Sequence, residues 1–420
     1  MKHTTRLFLS LTFCVSLIFS SCFKDDCNLK RTYFRYDPVY MTTSDIRSSV
    51  KLNATHELNH PGKIYVYGSL LLVNEIKVGI HIFDNTDPAH PIKINFIEIP
   101  GNVDMSVHNN ILYADNYIDL LSIDISDPTN PKIICRNENV FSPILVDPLN
   151  GILVDYIQNE TTVEIPCNSE YYGREIYWEG DVIFSSNSSK RSGPNSTTSS
   201  FTGISGIGGS FAKFTATENF LYTIDLSHLY SFNVEQQCPV LNSKIQIGWN
   251  IETIFPYNNN LFIGSTSGMY IYTLINPATP TLAGKMEHFR SCDPVIVQDD
   301  IAYVTLHGGS ACGGYTNQLD VVDVKDIFNP KLLKTYPLEN PYGLAMLNQT
   351  LYICDKNLKA FDAKNIDDIH LIEQVTHLNP YDLIALENSS VIILVTEAGI
   401  FQYDASIPEH LKQLSSLLKQ

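Results

Sequence analysis

The octet DISDPTNP, residues 124–131, sets the reading of the whole chain. It follows an apolar run of Leu120, Leu121, Ile123 and Ile125, then places two acids and two prolines in a few residues. Proline fixes φ and withholds a donor, so it stops a strand. Aspartate hydrogen-bonds its own backbone two residues on, so it favours a turn. Forty residues earlier, DNTDPAHP at 84–91 repeats the device.

Working outward, the same layout recurs: apolar alternation, a short turn, apolar alternation, then an acid-and-proline corner. Copies begin at Gly79, Leu120, Met269 and Leu319, with weaker ones at Leu229, Leu358 and Ile400. Taking the acid or its equivalent as a marker gives Asp84, Asp124, Ile165, Asn233, Ile275, Asp323, Asp362 and Asp404. Successive spacings are 40, 41, 68, 42, 48, 39 and 42 residues. A fixed period near forty marks a repeat architecture. The long spacing holds a Ser-, Gly- and Thr-rich stretch at 185–210, read as an insertion and a mobile flap, and the 48 holds HGGSACGG at 307–314.

A forty-residue unit has room for four short strands with their turns. In the second unit the strands are VDMSVH, ILYAD, DLLSIDI and PKIICRNE. Four antiparallel strands repeated around a ring predict an all-β propeller. Setting the insertion aside, residues 49–410 average 42 for each of eight blades. Seven is the alternative, because the third unit, ILVDPLNGILVDYIQNETTVEIP, is poorly formed. The C-terminal HLKQLSSLLKQ has a helical look, whereas 49–63 has the layout of a fourth strand and its exit turn. The sequence therefore predicts that an N-terminal strand completes the last blade and closes the ring.

The first 21 residues read as a secretory signal peptide: Lys2 and Arg6, an apolar stretch from Leu7 to Phe19, then Ser20 and Ser21. FSSC resembles a bacterial lipobox, which implies acylation of Cys22; CFKDD resembles a surface-export signal of Bacteroidota lipoproteins. Residues 22–48 are then a lipidated tether and 49–420 a single propeller domain. The expected place is the cell envelope, as an outer-membrane lipoprotein exposed at the surface or facing the periplasm. With DNTDPAHP and DISDPTNP preceded by IHIF and LSID, the chain resembles the LVIVD-repeat lipoproteins of Bacteroidota. That resemblance implies a propeller and adds little about function.

The formal charge is −17, and no basic cluster offers a nucleic-acid interface. The nine cysteines show no CxxC, so a zinc site is not expected. No nucleophile elbow, HExxH or phosphate loop is present.

In an antiparallel blade with strands a to d, the d–a and b–c loops share one face and the acid-and-proline corners lie on the other. Both insertions are expected on the former face, which makes it the candidate binding face. Its residues are the strand-b acids Glu75, Asp115, Asp155, Asp225, Asp355 and Glu397, with Asp293, His307, Tyr342 and Tyr381. The acids suit Ca²⁺ if they converge; otherwise they cap their own turns. No cofactor is otherwise expected. Cys292 and Cys312 are expected at one end of the same blade and could form a disulfide stabilising by about 3 kcal/mol. The expected function is a binding scaffold for a protein or glycan. The alternatives are an extracellular polymer-degrading hydrolase or lyase with a central site, and a purely structural envelope component.

Overall fold

A computed structural model describes residues 28–166, 207–210, 212–248, 250–287, 294–308 and 316–420. The chain is all-β, with one short helix, Thr43–Ser48, among the described residues. The described residues form eight sheets: six four-stranded antiparallel blades, one such blade carrying a fifth short strand on its inner edge, and one three-stranded sheet. The first strands of the seven blades, each called strand a, are Pro61–Tyr67, Met105–His108, Phe214–Thr217, Ile251–Tyr257, Val295–Gln298, Pro341–Leu347 and Pro380–Leu386. Each contacts the next and the last contacts the first, which closes the ring of blades 1 to 7. Blade 2 follows the predicted strands closely: Met105–His108, Ile111–Asn116, Asp119–Asp124 and Lys132–Asn137.

The third repeat supplies the eighth sheet, which has three strands in the order Asn28–Met41, Gly151–Pro166, Val146–Asp147. Its main strand runs 16 residues without the corner that would fold strands c and d back. The ring therefore passes from blade 2 directly to blade 3, and seven is the count the weak third repeat left open. Within the paired outer parts of this sheet, Lys30 meets Glu164 at 2.9 Å and Asn159 donates to Asp37 at 2.7 Å.

The acid-and-proline octets are corners between strands c and d. Asp124 Oδ1 accepts from Ser126 N at 2.9 Å, and Asp127 Oδ1 accepts from Thr129 N at 3.1 Å. Asp84 and Asp87 do the same for Thr86 and Ala89. Each octet is thus two successive Asx turns. All seven c–d ladders shift register at the same place, from Ile82/Phe83 in blade 1 to Gln402/Tyr403 in blade 7. Such bulges raise local twist.

Closure differs from the expectation. Lys412–Leu418, the segment with a helical look, is strand d of blade 7, so all four strands come from contiguous sequence. Propensity yields there to the free strand edge of Gly399–Asp404. The N-terminal segment instead lies along strand d of blade 1, where Lys51 bridges Glu98 and Ala54 N donates to Phe96 O at 3.0 Å. Side chains hold the seam: Tyr381 Oη donates to Pro61 O at 2.6 Å, and Asn85 and Gln402 exchange amide bonds of 3.0 and 2.7 Å.

The end of the predicted flap is placed differently too. Residues 185–206 lie outside the described residues. Ile207 and Gly208, however, pair with Val66 and Tyr65 on the inner edge of blade 1. Ser210 Oγ accepts from Leu344 N of blade 6 at 3.4 Å, and Ala212 O accepts from Ile254 N of blade 4 at 2.8 Å. This segment crosses the bore and contacts three blades. A Cβ on Gly208 would stand 3.1 Å from the Tyr65 ring, so close approach requires the glycine.

Candidate functional site

Most of the strand-b acids are engaged by the backbone. Glu75 is fully buried and accepts from Asn59 N at 3.1 Å and from His60 N. Asp115 Oδ1 accepts from Val103 N and Asp104 N, both at 2.9 Å. Asp355 accepts from Glu339 N at 2.9 Å, from Asn340 N at 2.5 Å and from Lys359 Nζ at 2.8 Å. Each thus pins the loop that enters its own blade. Asp225 binds its following turn, accepting from Ser227 N at 2.8 Å and His228 N at 2.7 Å. Asp155 lies exposed on the three-stranded sheet and Glu397 sits exposed in a b–c turn. Asp293, Cys22, Cys292 and Cys312 lie outside the described residues.

The acids do not form one carboxylate ring. Among the described residues no group of three His, Cys, Asp or Glu side chains is arranged to hold a metal ion. Burial pushes Asp115 up to about 6. Burial pushes Glu75 up as well, but hydrogen bonds from His81, His60 and Asn59 outweigh it and hold the carboxyl below its ordinary value. His81 Nε2 lies 3.4 Å from Glu75 Oε2, and His56 and His60 approach Oε1 at 3.9 and 3.8 Å.

The two tyrosines are wedges between blades. Tyr381 is buried with its hydroxyl on Pro61 O, and Tyr342 packs against apolar residues of blades 6 and 7. The structure does bring His307 and Tyr342 together, with ring centroids 4.4 Å apart.

A second set of charges lies at the start of strand a in four of the seven blades. Register places Lys63, Asp104, Lys213, Thr253, Pro294, Gly343 and Asp382 at equivalent positions, with Glu252 one residue earlier in blade 4. Lys63 Nζ donates to Asp104 Oδ2 at 3.0 Å. The same oxygen accepts from Phe214 N at 3.1 Å and from Lys213 N. Burial pulls the Lys213 ammonium below its ordinary value. Burial also pushes the Asp382 carboxyl well above its usual range; Leu383 N donates to Oδ1 at 2.6 Å, while Oδ2 has no hydrogen-bond partner among the described residues. Aligning the residue just before each strand-a apolar run would have revealed this column.

An open groove of about 530 Å³ lies between blades 2 and 3, at the end carrying the d–a and b–c loops. Ile118, Phe141 and Ile152 form its floor, Val146 its lip, and Lys244 of blade 3 its far wall. The parts around it are fixed. Arg47 of the short helix and Arg136 both bond Asp119, at 2.9 and 3.0 Å, and Asp119 is fully buried. Phe141 N donates to Ile118 O at 2.9 Å, and its ring meets Tyr230 edge-on at 5.5 Å. Lys244 Nζ stands 5.1 Å over the Tyr230 ring and donates to Ser142 Oγ at 3.2 Å. Below, a disulfide between Cys135 and Cys238 staples the two blades. Neither the disulfide nor the groove was evident from spacing, because each joins segments far apart in the chain.

No family model and no curated protein matches this chain. Its fold does match solved structures. A protein from Lactobacillus plantarum aligns with TM-score 0.54 and 10% identity, over 86% of this chain and 96% of the other. A functionally unknown protein from Desulfotomaculum acetoxidans aligns with TM-score 0.50 and 11% identity, over 85% and 95%. Kluyveromyces lactis Hsv2 aligns at TM-score 0.46 and 11% identity, over 86% and 98%. The likeness is one of fold.

Proposed function

We propose that this chain is a binding module of the bacterial cell envelope, anchored through a lipid on Cys22, that engages a protein or glycan at the d–a and b–c end of the ring. The groove carries this reading: a preformed concavity of about 530 Å³ with an apolar floor and a few polar groups suits ligand binding. Its location supports it as well, because loops held on a rigid scaffold are the usual place for recognition. The residues first suspected of central chemistry are occupied in loop capping and blade packing, and residues 207–210 with Ala212 contact blades on different sides of the bore. The lipobox-like FSSC and the LVIVD-like corners support the envelope location.

The test places a photo-reactive residue at Pro143, on the groove, and separately at Phe328, on a corner of the opposite end. On intact cells, adducts should form from Pro143 and not from Phe328. Equal labelling from both, or none from Pro143, would sink the reading. Cys22→Ala should release the protein from the membrane fraction, since a lipid chain is the expected anchor.

A further inference from the structure

We propose that the groove between blades 2 and 3 takes the C-terminal end of a partner polypeptide, with a large apolar last side chain on the Phe141–Ile152 floor and the free α-carboxylate against the Lys244 ammonium. The inference deepens the binding reading above and rests on it.

Composition separates the two partner classes of that reading. Ile118, Val140, Phe141, Pro143, Val146 and Ile152 supply apolar surface, which a glycan, dense in hydroxyls, would leave unused. The aromatic ring lining the groove, Phe141, is only 8% exposed and packed edge-on against Tyr230, so it offers no open platform for a sugar. Thr42, Thr43, Asn139 and Ser142 interleave polar groups with the apolar ones, as a peptide backbone requires. The groove is partly open to solvent, unlike the closed tunnel that would shield an acyl chain from water.

Charge sets the end that binds. Among the described residues lining the groove, Lys244 is the only charged one. Its partners are a hydroxyl and an aromatic face, and among the described residues it has no carboxylate partner. In a chain of formal charge −17, an exposed cation without a carboxylate at the edge of an apolar floor is complementary to one anionic group beside one apolar group. The C-terminal residue of a polypeptide presents both on a single Cα. Apolar residues continue past the lip, where Ile144 is 73% and Leu149 94% exposed, and give a longer peptide further contact.

The test uses the full chain and fluorescein-labelled pentapeptides ending in Phe, Leu or Val, each as free acid and as C-terminal amide, followed by fluorescence polarisation. The free acid should bind and the amide should bind about tenfold more weakly, the size of one charge-assisted contact. Lys244→Met keeps the stem and should make acid and amide equal; Lys244→Arg should retain the preference. Val146→Glu, at the exposed lip, should weaken both. Equal binding of acid and amide to the natural chain overturns the proposal, as does displacement of nothing by peptide but saturation by laurate or maltohexaose. If Pro143 adducts form on cells while no peptide binds, this inference fails and the binding reading stands. If those adducts are also missing, both fail.

Discussion

Lys63 Nζ donates to Asp104 Oδ2 at 3.0 Å across the joint between the first two blades, with both side chains nearly out of water. That oxygen also receives two backbone N–H groups at the entry to blade 3. One carboxylate therefore ties three consecutive blades near the axis. Removing Asp104 takes the buried carboxylate from Lys63 and the acceptor from both N–H groups, which costs more than the pair itself contributes. Asp104→Ala should lower unfolding free energy by about 3–5 kcal/mol, read from urea denaturation. The double variant Lys63→Met, Asp104→Leu should recover only the part due to the buried ammonium, because the Lys213 and Phe214 N–H groups still lack their acceptor. A single-variant effect below the size of a surface ion pair would show that the joint is solvated.

The Cys135–Cys238 disulfide closes a sequence separation of 103 residues. The loop-entropy relation assigns about 4.7 kcal/mol to a loop near that length. Cys135→Ser should lower the denaturant midpoint accordingly, and reductant should shift the natural chain further than the variant by that same amount. A reductant effect equal in both would place the sensitivity elsewhere.

The Glu75 cluster makes stability fall on the acid side. Burial holds the His81 imidazole below its ordinary 6.5, with nearby Lys93 and His56 adding to the effect and Glu75 opposing it. Below that value the unfolded chain takes the proton first, so the contribution is complete above pH 6.5 and is lost as pH falls. Glu75, held below 4.5, adds a loss further down. Melting temperature should decline from about pH 6.5 downward, and His81→Gln should flatten the upper part of that decline. An unchanged slope in the variant would exclude His81.

Asp382 has the opposite sign. A carboxyl pushed up by burial favours the folded state only at low pH, and that contribution is lost as pH rises through the folded value. Removing the charge without changing shape should help above neutrality. Asp382→Asn should raise stability at pH 8 by about 1–3 kcal/mol, the cost of a buried polar group left unpaired. A loss of stability at pH 8 would mean that Oδ2 holds an ordered partner.

The segment that crosses the bore is testable at Gly208. A Cβ there would meet the Tyr65 ring at 3.1 and 3.3 Å. Gly208→Val should cost about 1–3 kcal/mol, the usual penalty for overpacking, whereas Gly68→Ala, where nothing stands within 4 Å, should bring only the smaller strain of its positive φ. Equal penalties would place residues 207–210 outside the bore.

The sequence by itself determined what depends on near neighbours in the chain. Alternating apolar residues specify strands, and Asp124 and Asp127 reach backbone amides two residues on, so the corners and the forty-residue period could be read directly. The antiparallel blade and the face carrying the d–a and b–c loops follow from that spacing. Tertiary structure alone decided the rest. Lys63 and Asp104 are 41 residues apart, Cys135 and Cys238 103, Asn85 and Gln402 317. No local pattern names such partners; only the closing of the ring brings them into contact. The same holds for Lys412–Leu418, a strand because an unpaired edge awaits it, and for the groove, which joins segments far apart in the chain.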